Sequence, residues 1–165
     1  MTDAAAFEPN VIAFCCRHCA YAAADLAGGS RLSYSPALKI VELPCTGRVD
    51  VLHVLRTFED GADGVLVAGC LPGRCHYLTG NLHARQRVDY LGGLLADIGI
   101  EAARLRMINV SAAMGSQFAE MASELIDRIV ELGPSPVTAG PGKAIPPPTA
   151  EAMGPGSAEG FGGNP

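Results

Sequence analysis

Short apolar runs alternate with amphipathic stretches along the first 133 residues of the chain. The apolar runs lack polar alternation, which is typical of strands covered on both faces; they span residues 10–14, 39–43, 64–68 and 105–110. Between and after them, apolar residues recur at helical spacing and predict helices at residues 20–26, 49–58, 82–98 and 117–132. Gly28, Gly61 and Gly99 follow three of these stretches, as expected where helices end.

Four strand–helix units in succession predict an α/β domain with a mostly parallel sheet of about four strands. Helices should cover both faces of this sheet, in an architecture of flavodoxin-like or Rossmann-like general shape. The pattern does not predict the order of the strands.

The composition changes after this alternating region. Pro and Gly make up about half of residues 133–165, a fraction typical of segments that cannot bury enough apolar surface to fold. We therefore predict an N-terminal arm at 1–9, one folded domain at 10–133, and a disordered Pro/Gly-rich tail at 134–165.

Charge and hydropathy exclude several classes of partner. The net charge is −5 and the arginines are scattered, so nucleic acid is not an expected partner. No apolar run approaches the roughly 20 residues that span a bilayer. The first ten residues contain Asp3 and Glu8 and lack the basic start of a secretory signal, which predicts a cytoplasmic protein.

The six cysteines all precede residue 76 and follow predicted strands. Cys15, Cys16 and Cys19 come after the first strand, Cys45 after the second, and Cys70 and Cys75 after the third. The carboxyl ends of parallel strands lie along one edge of a sheet, where such folds place their sites. Because structural disulfides are uncommon in a reducing cytoplasm, these thiols are expected to act as ligands at that edge.

Thiolates are preferred ligands of iron–sulfur clusters and of zinc. The Cys70-x4-Cys75 spacing partly matches a loop spacing that wraps iron–sulfur clusters, and Gly47, Gly69 and Gly73 allow the backbone to approach the thiols closely. An iron–sulfur site is therefore predicted. A structural zinc site in a metal-stapled adaptor without redox role, or a set of inert buried thiols, is the alternative.

A third alternative is an enzyme. Cys16-Arg-His-Cys19 is a C-x2-C motif between a strand and a helix, as in thioredoxin-like dithiol oxidoreductases. Such an enzyme would have no use for Cys45, Cys70 and Cys75. His76 could be a ligand or a proton carrier, and His18 is expected to face solvent or a partner. No phosphate-loop, dinucleotide or nucleophile-elbow motif is present, and no catalytic residue is predicted.

With these residues in view, the chain resembles the delta subunit family of methyl-viologen-reducing (F420-non-reducing) hydrogenase over residues 10–133. The matching segments include Cys45-Thr-Gly-Arg-Val49 and Gly69-Cys-x-Pro-Gly-x-Cys-His-Tyr77. The resemblance also covers Phe14-Cys15 through Tyr21, Gly80-Asn81 and Ser111-Ala112.

The resemblance implies a [2Fe–2S] cluster whose ligands correspond to Cys15, Cys19, Cys45, Cys70 and Cys75. Five thiols exceed the four ligand positions, and the sequence does not identify the spare one. We rank Cys45, Cys70 and Cys75 first, with Cys15 or Cys19 completing the set. Cys16 stands where the family usually has another residue.

The family's function is implied in the same way. Its members carry electrons between a hydrogenase or another dehydrogenase module and the flavin-containing subunit of a heterodisulfide reductase-type complex. Tyr21, Arg48, Arg74, His76 and Tyr77 flank the thiols, and residues of these types are enriched in protein interfaces. We therefore expect the cysteine-bearing edge to dock on a redox partner.

Overall fold

The structure, a computed structural model, describes residues 7–138. Its centre is one sheet of four parallel strands in the order β2-β1-β3-β4, which are β1 (Val11–Cys16), β2 (Leu38–Leu43), β3 (Gly64–Cys70) and β4 (Leu105–Val110). Four α-helices follow the strands: α1 (Ala22–Gly29), α2 (Val51–Glu59), α3 (Gly80–Asp97) and α4 (Gly115–Leu132). The predicted α/β class with a four-stranded parallel sheet is confirmed.

The helices cover the two faces of the sheet in pairs. α1 and α4 pack with the β1 side chains of Val11 and Ala13, and α2 and α3 pack with the β3 side chains of Val65 and Val67. All seven residues of β3 are buried, as expected for a central strand covered on both faces. Burial of each large aliphatic side chain contributes about 1.5–3 kcal/mol, so these two layers hold the sheet.

Two strands run further than the apolar runs predict, and both differences change the site. β1 continues past Phe14 to Cys16, and β3 continues past Ala68 to Cys70. Cys15, Cys16 and Cys70 are therefore strand residues, not loop residues. A π-helical turn at Arg17–Tyr21 then joins β1 to α1.

The opposite, amino edge of the sheet is held by a buried polar network. Arg104 is fully buried and donates to the carbonyl oxygens of Asp63 and Gly133 at 3.1 and 2.9 Å. The Asp63 carboxylate accepts hydrogen bonds from the backbone N–H groups of Asn10 and Ser135. These contacts fix both ends of the described chain to the sheet.

The boundaries of the arm and the tail lie partly outside the described residues. Phe7 packs against the core, and residues 134–138, which the sequence assigns to the tail, include the buried Ser135. The predicted disorder of the remaining tail concerns residues 139–165, which lie outside the described residues, as do residues 1–6 of the arm. Across residues 7–138, no helix has the length and apolar character needed to cross a membrane.

Candidate functional site

Five of the six thiols meet at the carboxyl edge of the sheet. We call this group the thiol cluster; it consists of Cys16, Cys19, Cys45, Cys70 and Cys75. The Sγ atom of Cys70 lies 2.9 Å from that of Cys19 and 3.6 Å from that of Cys16. Four members are buried and Cys19 is half-buried. Thiols from the ends of two strands and from the segments that follow three strands thus lie together at one edge.

Cys15 is the predicted ligand that the structure does not bring to the thiol cluster. Its side chain is fully buried in the apolar core between the sheet and helices α1 and α4. The physical reason is the extended β1 strand, because successive strand side chains point to opposite faces. Of the two neighbouring cysteines that the sequence analysis placed at this edge, Cys16 reaches it and Cys15 does not.

The π-helical turn after β1 places Cys19 against Cys70. Cys16 precedes this turn with extended backbone angles, and Cys19 is the turn's middle residue. Turns of this type are rare and occur frequently at functional sites. The turn brings the thiol of Cys19 back over the end of β3, the strand next to β1.

Cys45 and Cys75 are held at the start of α3. The N–H group of Gly47 donates to the Cys45 Sγ atom at 3.3 Å. A Cβ atom on Gly80, the first residue of α3, would overlap the Cys45 Sγ atom and lie 3.4 Å from the Cys75 Sγ atom. Only glycine leaves room there for both thiols.

The pKa of Cys75 is lowered from its ordinary value. Burial alone would raise this pKa, but backbone hydrogen bonds from Asn81, Tyr77 and Gly80 and a contact with Cys45 outweigh burial. The N-terminal end of α3 thus stabilises a thiolate at Cys75.

The other thiols favour their neutral form. Burial raises the pKa values of Cys16, Cys19 and Cys45. Burial also raises the pKa of Cys70 to about 11, and the hydrogen bond with Cys19 adds to this effect. In the apolar core, Cys15 has its pKa raised to about 12 by burial. A metal centre that binds the thiol cluster must therefore displace protons, and its positive charge would compensate the buried thiolates.

Two asparagines that the sequence analysis gave no role hold the end of β3. The Cys70 carbonyl oxygen accepts hydrogen bonds from the side-chain amides of Asn81 at 3.0 Å and Asn109 at 2.6 Å. Asn81 also donates to the Leu71 carbonyl at 2.9 Å. The buried Asn81 Oδ1 atom has no hydrogen-bond partner among the described residues. Asn81 belongs to the Gly-Asn pair of the family resemblance, and that pair was the available signal.

Arg87 of α3 ties down the segment that carries Cys45. Its Nη1 atom donates to the carbonyl oxygens of Gly47 and Val49 at 2.6 and 2.9 Å. No sequence motif marks Arg87, because its role depends on the distance between α3 and the loop after β2.

Aromatic and basic side chains surround the thiol cluster at the surface. The rings of His18 and His76 stack with their centroids 3.9 Å apart, and Tyr77 contacts both rings edge-on. Arg17 forms an ion pair with Glu42, and Arg48 and Arg74 are exposed. A cavity of about 350 Å³ lies beside Cys45 and is lined by Pro44, Cys45, Gly47, Arg48, Tyr77, Thr79, Gly80 and His83.

The donor chemistry of the thiol cluster fits an iron–sulfur group. Its ligating atoms are sulfurs, and four cysteine thiolates are the usual ligands of [2Fe–2S] clusters. The close packing of the Gly80 backbone against the sulfurs of Cys45 and Cys75, and the N–H groups around Cys75, match the close backbone approach of such sites. Within residues 7–138, no group of three or more His, Cys, Asp or Glu side chains has the arrangement of a metal-ion site.

The C-x2-C dithiol alternative receives little support from the positions of its two sulfurs. Cys16 and Cys19 both contact Cys70, from the end of β1 and from the π-helical turn respectively. The 2.9 Å contact of the Cys19 sulfur is with Cys70, which lies outside the C-x2-C motif.

Known proteins resemble this chain over nearly all of its described length. A family model for the delta subunit of methyl-viologen-reducing hydrogenase matches residues 11–133. The chain is 46% identical over 132 residues to the vhu iron-sulfur subunit of the F420-non-reducing hydrogenase of Methanocaldococcus jannaschii, covering 80% of this chain and 98% of that protein. The corresponding protein of Methanococcus maripaludis is 42% identical over 132 residues, with the same coverage.

A second kind of relative is much longer than this chain. It is a subunit of the ferredoxin:CoB-CoM heterodisulfide reductase of Methanosarcina mazei, and it is 41% identical over 126 residues. The match covers 76% of this chain but 16% of that protein. The family resemblance seen in the sequence is thus confirmed, and the chain belongs to the methyl-viologen-reducing hydrogenase delta subunit family.

Proposed function

We propose that the chain binds a [2Fe–2S] cluster in the thiol cluster and relays electrons within a larger redox complex. The observation that carries this proposal is the convergence of five thiols from three separate chain segments at one sheet edge. The relatives from Methanocaldococcus and Methanococcus are named iron-sulfur subunits of a hydrogenase, which supports the same chemistry.

Cys16, Cys45, Cys70 and Cys75 are the proposed ligands. They are the four buried members of the thiol cluster, and burial protects a cluster from water. Cys19 is half-buried and serves as the fifth, non-ligating thiol. This set keeps the three ligands ranked first by the family resemblance and replaces the first-loop choice of Cys15 or Cys19 with Cys16.

When bound, the cluster supplies reversible one-electron chemistry. The chain's own residues hold it and set its surroundings. Backbone N–H groups of Gly47 and of the first turn of α3 donate toward the sulfurs of Cys45 and Cys75. Hydrogen bonds of this kind raise the reduction potential, because they stabilise the more negative reduced state. Asn81 and Asn109 keep the Cys70 backbone in place.

The proposed partners are a hydrogenase or other dehydrogenase donor and a flavin-containing subunit of the heterodisulfide reductase type. A hydrogenase donor agrees with the names of the full-length relatives. The heterodisulfide reductase relative contains a segment similar to most of this domain within its own chain. A domain that is fused to the rest of such a subunit in one protein can bind a similar subunit as a separate chain in another. This argument supports the proposed partnership.

The surface beside the thiol cluster has the features of a docking site. Leu78 is 83% exposed and has a φ of +63°, an uncommon and unfavourable conformation for a residue with a Cβ atom. Such strain is found mainly at functional sites. Leu78 follows Tyr77 of the His18–His76–Tyr77 aromatic group in the chain, and Arg48 and Arg74, which are near the thiols in sequence, are exposed. We propose that this surface docks on the redox partner.

Purification without oxygen, followed by metal and sulfide analysis, tests the cofactor. The expected result is about two irons and two sulfides per chain, with a paramagnetic signal after one-electron reduction. We expect Cys16→Ser to lose the iron and Cys19→Ser to keep it. Stoichiometric zinc with no iron would contradict the proposal. Iron that cannot be reduced would favour the metal-stapled adaptor.

A cytoplasmic location is part of the same proposal. Free thiols at this density persist where the surroundings are reducing, and all six cysteines of the chain are unpaired in the structure.

A further inference from the structure

We propose that Cys19 and Cys70 form an intramolecular disulfide when the thiol cluster holds no metal, by exchange with a small-molecule disulfide. Their Sγ atoms are 2.9 Å apart, closer than the 3.6 Å that separates the Sγ atoms of Cys16 and Cys70. A disulfide bond has an S–S length of about 2.05 Å, so the sulfurs need to approach by less than about 1 Å. This modification is not a step of electron transfer, although it uses Cys70, one of the proposed cluster ligands.

Cys19 is the thiol that an outside reagent reaches first. It is the one half-buried member of the thiol cluster, whereas Cys70 is 1% exposed at the end of the central strand. Thiol–disulfide exchange requires access to the attacking sulfur. A small disulfide such as oxidised glutathione can meet Cys19 at the surface but cannot meet Cys70 directly.

Cys70 is the thiol placed to resolve the mixed disulfide. The other thiol of the C-x2-C motif, Cys16, is itself in contact with Cys70 at the longer distance of 3.6 Å. Two asparagine amides fix the Cys70 backbone, so its position does not depend on a bound metal. Cys19, in contrast, sits on a π-helical turn, whose irregular hydrogen bonding allows a small local adjustment.

The exchange proceeds in two steps, and the bonds, electrons and protons balance in each. In the first step, the Cys19 sulfur attacks one sulfur of the reagent; a Cys19–reagent disulfide forms, the reagent's S–S bond breaks, and one reagent thiol leaves. In the second step, the Cys70 sulfur attacks the Cys19 sulfur, the bond to the reagent breaks, and the second reagent thiol leaves. The protein pair loses two electrons and two protons, and the small disulfide gains both to become two thiols.

The consequence depends on the proposed function. If Cys70 is a cluster ligand, its sulfur is unavailable for exchange while the cluster is bound and unavailable for iron once the disulfide has formed. The Cys19–Cys70 disulfide would then form only after the cluster is lost, and a reductant could reverse it.

Peptide mapping of the full chain tests the pair. The chain is freed of metal with a chelator, incubated with oxidised glutathione, and alkylated before digestion and mass spectrometry. The expected result is a Cys19–Cys70 crosslink with the other four cysteines alkylated, and loss of the crosslink on treatment with a reductant. A Cys16–Cys19 crosslink, or Cys19 bound to glutathione beside an alkylated Cys70, would overturn the proposal.

Two variants sharpen this experiment. Cys70→Ser removes the resolving sulfur, so glutathione should accumulate on Cys19 of that variant. Cys15→Ala changes a core cysteine outside the thiol cluster and should leave the crosslink as in the unchanged chain. Crosslinking of Cys19 to another cysteine in the Cys70→Ser variant, in place of glutathione, would show that Cys70 is not the specific partner.

The same mapping on untreated, anaerobically purified chain separates this proposal from the proposed function. If the chain holds iron through Cys70, the crosslink should be absent until the iron is removed. If the purified chain holds no iron and still forms the Cys19–Cys70 crosslink, the disulfide stands and the [2Fe–2S] proposal falls. Equal crosslinking before and after removal of bound iron would exclude Cys70 as a ligand.

Discussion

Cys15 and Cys16 are adjacent in the chain, but their side chains lie on opposite faces of β1. Cys15 is enclosed by the core that α1 and α4 cover, and Cys16 contacts Cys70 in the thiol cluster at the edge of the sheet. Two chemically identical side chains therefore have different surroundings, one apolar and one made of sulfurs. Substitutions at the two positions should have different consequences.

Cys15→Ala is expected to affect stability and not iron content. Removing one sulfur atom from a packed core leaves a small cavity and should lower the free energy of unfolding by about 1–2 kcal/mol. Cys16→Ala should instead remove most of the bound iron. Urea unfolding and iron analysis of both variants provide the measurements. Iron lost from the Cys15 variant but kept by the Cys16 variant would reverse the assignment.

Gly80→Ala is expected to disrupt the thiol cluster through a single methyl group. The added Cβ atom would overlap the Cys45 Sγ atom and crowd Cys75, so the iron content should fall well below that of the unchanged chain. Gly92→Ala in the same helix is the matched control, because its Cβ atom would meet no heavy atom within 4 Å. The control should keep its iron and gain up to about 1 kcal/mol of helix stability. Normal iron content in Gly80→Ala would show that iron binding does not require the space left by glycine at this position.

Arg74→Glu is expected to weaken the complex with the redox partner while leaving the isolated chain's spectrum unchanged. Charge reversal in an interface costs a few kcal/mol when the charge is desolvated, and it changes the association rate when the charge lies at the rim. Arg48→Glu should behave alike. The measurements are co-purification with the partner and electron flow between subunits.

Arg56→Glu is the charge-matched control for docking. Arg56 is exposed in the last turn of α2, which is the end of the helix away from the loop that carries Cys45. If this control weakens the complex as much as the Arg74 variant does, net charge and not the surface beside the thiol cluster governs association.

Arg104→Met is expected to destabilise the fold away from the site. The substitution leaves the carbonyl oxygens of Asp63, Gly133 and Pro134 without the donor they have now, which should cost about 3 kcal/mol or more. Arg128→Met removes an exposed ion pair with Glu131 and should cost less than about 1 kcal/mol. Denaturant unfolding compares the two variants. Equal stability would show that the buried guanidinium contributes nothing net.

Acid should lower the stability that the interaction between Arg104 and Glu101 contributes. The hydrogen bond from Arg104 lowers the pKa of Glu101, so its stabilising contribution is present above the ordinary glutamate pKa of about 4.3. The contribution is lost as the pH falls through the lowered pKa. Unfolding of the metal-free chain at about pH 6 and about pH 3.5 should show a smaller acid loss for Glu101→Gln than for the unchanged chain. An identical loss would place the acid sensitivity elsewhere.

The sequence predicted the α/β class and the edge where the thiols meet, because hydrophobic periodicity and the direction of parallel strands determine both. It misplaced Cys15 because strand ends depend on hydrogen bonding to neighbouring strands. Pairing of Cys15 with Ala68 of β3 extends β1 beyond the apolar run that predicted it. An error of two residues at a strand end was enough to change which cysteine reaches the site.

The roles of Asn81, Asn109 and Arg87 could not be predicted from local sequence. Each side chain bonds a carbonyl oxygen at least ten residues away along the chain, and these pairings arise only after the helices pack on the sheet. The order of the strands has the same origin. Sequence patterns describe single elements well, whereas these contacts are properties of their assembly.

The network around Asp63 has a consequence for how the domain can be combined with others. It holds Asn10 and Ser135, near the two ends of the described chain, at the edge of the sheet opposite the thiols. A longer polypeptide joined at either end would therefore meet the domain at the edge away from the sulfurs. This geometry suits the domain to fusion within a larger chain.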